Sequence, residues 1–173
     1  MSHLSFDPSR LTLKDALDLA VLIEDEAEER YRDFAAQLAE HGTPGAAKLF
    51  ADLAVEEGKH GAELAARRTA KFANAPRTVN SGQIWDVEAP GFEQAQTFMD
   101  DRRALTVALA CEGKARAFFA SLVETATDPE AKALFAELER EETEHIQRIK
   151  RAIERLPPGG GGEPSMADGP VAG

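Results

Sequence analysis

The chain has 173 residues, 43% of them hydrophobic and 29% charged, with 31 acidic against 20 basic side chains and a formal charge of −11. That length suits one domain with a core of ordinary size plus a terminal extension, and the acidic balance makes nucleic acid and anionic membrane surfaces poor partners while favouring cations. The one cysteine, Cys111, excludes an intrachain disulfide and a Cys-x-x-Cys metal knuckle, and no run of about 18 apolar residues is present to span a membrane.

Residues 1–11 read as an N-terminal segment. Its start, Met1-Ser2-His3-Leu4-Ser5-Phe6-Asp7, lacks the basic and apolar blocks of a secretory signal, so a cytoplasmic location is expected. Four long helical patterns then fill residues 12–156. The first opens at Thr12, with Asp15 three residues on as in a capping box, and stops near His41-Gly42. The second opens at Thr43-Pro44, a cap followed by proline, and runs to about Phe72. The third starts near Thr97 and Asp100 and ends before Thr127; the fourth starts at Asp128-Pro129 and is stopped by Pro157-Pro158. Two short loops make two antiparallel hairpins, and the polar stretch 73–96 between them is long enough to cross the whole bundle. It holds Trp85, the one tryptophan, expected as an anchor on the bundle surface. Residues 157–173, with Gly159-Gly160-Gly161-Gly162, are too poor in apolar side chains to repay chain ordering and read as a flexible tail.

The two hairpins repeat one another. Aligning Pro44–His60 with Pro129–His145 leaves nine of seventeen positions identical, among them Leu49/Leu134, Phe50/Phe135, Leu53/Leu138, Glu57/Glu142 and His60/His145. The preceding helices match as Ala16/Ala104, Leu17/Leu105, Ala20/Ala108, Glu24/Glu112 and Ala27/Ala115. The predicted fold is therefore an all-α four-helix bundle made of duplicated hairpins about a pseudo-two-fold axis, and anything on that axis is lined twice by the same residue types.

Helical spacing places an acid on each apolar face. The stripes read Leu17, Ala20, Glu24, Ala27, Tyr31, Phe34 in the first helix and Leu105, Ala108, Glu112, Ala115, Phe119, Leu122 in the third. They read Leu49, Leu53, Glu57, His60, Leu64 in the second and Leu134, Leu138, Glu142, His145, Ile149 in the fourth. A buried carboxylate loses several kcal/mol of solvation, four together repel, and these stripes carry no Lys or Arg to pair with them. Two divalent cations neutralise four carboxylates, and two imidazoles complete a nitrogen–oxygen ligand set. Glu57 and His60, three apart, point at one ion, as do Glu142 and His145; Glu24 and Glu112 bridge or chelate from the other side. One Glu from each of two helices and Glu-x-x-His from the other two is the ligand pattern of di-iron and di-manganese carboxylate bundles. Glu56 and Glu141, four residues before the histidines, are the alternative acids but fit the stripes less well.

These motifs give the chain a family resemblance. Glu24-Asp25-Glu26-Ala27-Glu28-Glu29-Arg30-Tyr31, Glu57-Gly58-Lys59-His60, Glu112-Gly113-Lys114-Ala115 and Glu142-Thr143-Glu144-His145 resemble the rubrerythrin-like branch of the ferritin-like superfamily over about residues 12–156. The resemblance implies a ferritin-like bundle holding two iron ions, with manganese as runner-up and zinc as a substitute in purified protein. It implies an oxidoreductase of oxidative-stress type that reduces hydrogen peroxide or dioxygen, with an external electron donor, and a homodimer. Iron handling as a ferroxidase or iron-binding protein, a di-manganese catalase, a substrate oxygenase and a purely structural bundle are the other readings. Two departures stand out. Rubrerythrin proper has a four-cysteine rubredoxin-type site, absent here, and a further glutamate one turn after the third-helix ligand, where this chain has Ala115.

Tyr31, the one tyrosine, shares the face of Glu24 and is a candidate catalytic residue: a hydrogen-bond donor to a ligand carboxylate, or a proton or radical donor. Its repeat partner Phe119 makes plain packing the competing expectation. Cys111 adjoins Glu112 but points about 100° away around the helix and reads as a small buried hydrophobe. His3 and His41 read as solvated, and Asp25, Glu26, Glu28 and Glu29 as a solvated face.

Overall fold

The computed structural model describes residues 7–80, 87 and 99–157. The expectations for His3, Thr97, Trp85 and the glycine-rich tail lie outside these residues. A 3-10 turn, Pro8–Arg10, precedes four helices: α1 (Leu13–Glu40), α2 (Pro44–Phe72), α3 (Asp101–Thr125) and α4 (Pro129–Arg155). No strand occurs among the described residues.

The helix starts are set by their caps. Thr12 and Asp15 form the reciprocal capping box, with the Thr12 amide donating to Asp15 Oδ2 at 3.0 Å. Asp100 accepts from the Arg103 amide at 2.8 Å, and Asp128 accepts from the amides of Glu130 and Ala131 at 2.8 and 3.0 Å. Thr43 departs from expectation. Its hydroxyl caps no α2 amide but donates to the Leu38 carbonyl at 2.7 Å, tying the turn back onto α1. Gly42 supplies that turn's positive φ of 75°, and Pro44, with no N–H to satisfy, starts α2 without a side-chain cap.

α1 lies along α2 and α3 along α4; the hairpins approach each other most closely through α1 with α4 and α2 with α3. α2 and α4 are joined by long side chains: Arg67 to Glu137 at 2.8 and 3.1 Å, Arg148 to Glu56 at 3.0 and 2.6 Å, and Lys71 to Glu130 at 3.1 Å. The apolar core is in two parts. One gathers Leu17, Ile23, Leu64, Phe119, Leu134 and Leu138. The other gathers Ala27, Phe34, Phe50, Leu53, Cys111 and Ile149. Each fully buried Phe or Leu contributes about 1.5–3 kcal/mol. On every helix the acid of the stripe falls between the two parts, so the carboxylates form a polar layer across the bundle.

The ends of α2 and α3 locate the crossover. Leu64, late in α2, packs in the first core part, whereas Ala104 and Leu105, early in α3, pack in the second. The two helices therefore run parallel and their connection returns the length of the bundle. Val79 and Val87 are buried in the first part and Met99 in the second.

Candidate metal centre

The polar layer brings together all six residues singled out by the stripes. Glu24, Glu57, Glu112 and Glu142 are at most 2% exposed, and His145 is buried with them. His60 Nδ1 lies 3.3 Å from Glu57 Oε2 and 4.0 Å from Glu24 Oε2. His145 Nδ1 lies 3.0 Å from Glu112 Oε2, 3.8 Å from Glu142 Oε2 and 3.9 Å from Glu57 Oε1. The two imidazoles stack, with ring centres 5.2 Å apart and planes 12° from parallel.

Two ligand groups result, each with donor atoms within 4.8 Å of one another: Glu24, Glu57 and His60, and Glu57, Glu112 and His145. Glu57 belongs to both and turns one oxygen toward each histidine. Glu24 and Glu112 each lie in one group, and the carboxylate common to both comes from α2.

The electrostatics are those of a site short of positive charge. Glu24 Oε2, both Glu57 oxygens and Glu142 Oε2 are buried without a hydrogen-bond partner. Burial, then the neighbouring Glu57, pushes Glu24 well above the ordinary carboxylate range; burial, then Glu112, does the same to Glu142. The contact with Glu57 raises His60 against the opposing effect of burial. At His145 burial pulls the imidazole down, but the hydrogen bond and charge of Glu112 outweigh it and the net shift is upward. Orphaned carboxylate oxygens converging with two imidazoles fit divalent cations, which satisfy the oxygens and replace the missing charge.

The surroundings distinguish the remaining candidates. Tyr31 is fully buried and donates to Glu112 Oε1 at 3.1 Å, so it does more than pack as Phe119 does. Ala115 is buried and fills the position one turn after Glu112 with a methyl group. Glu56 sits at the surface, paired with Arg148. Glu141 is half-buried, and burial raises its carboxyl while the charge of His60 lowers it. Cys111 packs in the apolar core. His41 is not simply solvated: its Nδ1 is buried without a partner in the turn after α1.

One buried ionic cluster lies apart from the apolar stripes. Asp18, fully buried on α1, accepts from Arg68 Nε at 2.6 Å and Lys14 Nζ at 3.0 Å. Arg68 also donates to the carbonyls of Ala73 and Ala75 at 3.1 and 2.6 Å, and so clamps the start of the crossover. The available signal was Arg68 itself, four residues beyond Leu64 in continuation of the α2 stripe.

Between α2 and α4 an open depression of about 390 Å³ leads to the site, with His60, His145, Glu63 and Glu141 in its lining.

Comparisons with known proteins agree with this architecture. Residues 15–93 match the family model described as Rubrerythrin. An uncharacterised conserved protein from Magnetospirillum magnetotacticum is similar at 28% identity over 85% of this chain and 97% of its own, with a TM-score of 0.67. A bacterioferritin from Rhodobacter capsulatus, described with a metal-free dinuclear site and a haem iron, is similar in fold at 20% identity over 82% of this chain and 83% of its own, with a TM-score of 0.56. No curated protein matches. In fold, then, the chain is a four-helix bundle of the ferritin-like kind, and its residues 15–93 are similar to the Rubrerythrin family.

Proposed function

We propose that the protein is a dinuclear non-haem iron oxidoreductase that reduces hydrogen peroxide or dioxygen. The observation that carries this reading is the pair of carboxylate–imidazole groups sharing Glu57, with orphaned carboxylate oxygens on both sides. Glu24, Glu57 and His60 would hold one ion, and Glu57, Glu112 and His145, with Glu142 beside them, would hold the other. Mixed carboxylate and imidazole donors suit Fe(II), with manganese the next fit and zinc an occupant without redox chemistry. Bound iron supplies two electrons together, one per ion.

The chain's own residues do the rest. The apolar parts of the core above and below the layer keep bulk water from the carboxylates. The depression between α2 and α4 admits a molecule the size of peroxide. Breaking the O–O bond of peroxide takes two electrons and two protons and gives two waters; Tyr31 Oη, hydrogen-bonded to Glu112, holds an exchangeable proton beside the site. With Cys111 buried in the core, re-reduction falls to an external donor.

Stopped-flow oxidation of the anaerobically Fe(II)-loaded protein tests this. Peroxide or dioxygen should oxidise it faster than free Fe(II), and Glu57→Ala should abolish the effect; no acceleration by either oxidant rules the reading out. A second reading is iron handling, favoured by the acids Glu56, Glu63, Glu141 and Glu144 around the depression. Uptake well beyond two irons per chain would support it, and a limit of two would support turnover.

A further inference from the structure

The duplication that builds the site does not make its halves alike. Glu112, in the second half, has both oxygens held: Oε1 by the Tyr31 hydroxyl at 3.1 Å and Oε2 by His145 Nδ1 at 3.0 Å. Its repeat partner Glu24 lies in the first half, and the residue equivalent to Tyr31 is Phe119 on α3, which has no hydroxyl. Glu24 Oε2 is buried without a hydrogen-bond partner, and the nearest imidazole nitrogen, on His60, is 4.0 Å away. The histidines differ in the same sense. The His60 side chain is 28% exposed and that of His145 only 9%, although both line the depression between α2 and α4.

We propose that the two metal positions are inequivalent: the Glu57–Glu112–His145 position binds first and tightly, the Glu24–Glu57–His60 position binds second and exchanges with solvent, and Tyr31 is the positioning residue that sets the difference. Ligands already held near their bound geometry lose less freedom when an ion arrives. The hydroxyl of Tyr31 gives Glu112 that advantage, and Phe119 has none to give Glu24. Outer partners of this type typically change metal affinity about 10–100-fold. The more exposed imidazole also marks the position from which an ion leaves most easily and to which an incoming small molecule has the shorter approach.

This inference rests on the dinuclear reading, and the test separates the two. Co(II), whose visible absorption reports its coordination, is titrated anaerobically into the full chain by absorption spectroscopy and calorimetry. Two resolved steps are expected. His60→Ala should remove the weaker step and keep the tighter one; His145→Ala should remove the tighter one. Tyr31→Phe should weaken the tighter step about 10–100-fold, shift its Co(II) spectrum and leave the weaker step unchanged, whereas a tyrosine that only packs would leave both steps in place. Two equal, independent steps in the wild type, or loss of the tighter step in His60→Ala, would overturn the inequivalence while leaving a dinuclear site. Absence of any Co(II) binding would overturn both. Far-ultraviolet circular dichroism of each variant checks that the bundle is folded.

Discussion

Two fully buried carboxylates on α1, six residues apart, are kept in opposite ways. Asp18 brings its cations with it: Arg68 from α2 and Lys14 from the preceding turn, with the Thr78 amide donating at 3.4 Å. Burial alone would raise its carboxyl, but the hydrogen bonds from Arg68 and Lys14 hold it below the ordinary value. Glu24 has carboxylates for neighbours, and burial and those charges push it the other way. A buried acid with its counter-ion in the sequence is a structural joint; one without it stores unfavourable energy that a cation from solution releases. The difference separates the carboxylate layer from the rest of the core more sharply than burial does, since both acids are equally inaccessible.

The largest effect that can break this comparison is Asp18→Ala. It leaves the Arg68 guanidinium buried with only the Ala73 and Ala75 carbonyls as partners. Removing one member of a buried pair costs about 3–5 kcal/mol, so the denaturation midpoint of the metal-free protein should fall steeply. Metal affinity should stay near wild type, because Asp18 touches neither ligand group. Glu24→Met should act with the opposite sign. It removes an orphaned carboxylate and fits an unbranched chain beside Gly61, whose missing Cβ would lie 3.3 Å from the Glu24 Cβ. A gain of about 1–3 kcal/mol in metal-free stability, measured by urea unfolding, is expected together with loss of one metal position. Destabilisation by both variants would sink the distinction between joint and site.

Of these two buried acids, only Glu24 is marked in the sequence. Glu24, Glu57, Glu112 and Glu142 stand out because each interrupts an apolar stripe and the repeat shows every interruption twice. The capping signals at Thr12, Asp100 and Asp128 are equally local, and Pro44 marks the start of α2 although Thr43 makes no side-chain cap. Asp18 lies beside the stripe, on a face that a solitary helix would expose. It is buried because the crossover, with Thr78 and Val79, covers the first turns of α1, and its partner Arg68 is 50 residues away. Which carboxylate serves both histidines is likewise a matter of how the hairpins approach. Spacing placed Glu24, Glu57, Glu112 and Glu142 on one layer without ranking them, and only their relative depth and angle put Glu57 between the imidazoles.

The layer also sets the pH response of the metal-free protein. Glu24 and Glu142 are raised well above 4.5, and His60 and His145 above 6.5, so all four bind protons more tightly folded than unfolded. A raised group contributes stability that is full below its unfolded pKa and is lost as pH climbs through its folded one. From about pH 4.5 upward for the acids, and 6.5 upward for the histidines, the metal-free bundle should therefore lose stability, with a melting temperature some degrees lower at pH 8 than at pH 5.5. Metal reverses the slope, because its ligands must be deprotonated and binding stabilises the folded state more as protons become scarce. Asp18, held low by its cations, titrates below this window and contributes nothing to it. Parallel curves with and without saturating metal would contradict the account.

The smallest expected effect lies at the edge of the structural joint. Lys14 is 19% exposed, donates to Asp18 at 3.0 Å, and reaches the crossover through the Pro76 carbonyl at 2.9 Å and the Thr78 hydroxyl at 3.1 Å. Lys14→Met keeps an unbranched side chain of similar length and removes the charge. Arg68 remains on Asp18, and solvent already screens much of the Lys14 attraction, so global stability should drop by only about 0.5–1 kcal/mol. The local consequence is larger in relative terms. Lys14 is bonded on both sides of Arg77, so its loss frees a trypsin-sensitive peptide bond that it now holds against α1. Native-state proteolysis should show faster cleavage after Arg77 while cleavage within the helices keeps its rate. An unchanged rate at Arg77 would mean that the Arg68 contacts to Ala73 and Ala75 suffice to hold the crossover, and that Lys14 only balances the charge of Asp18.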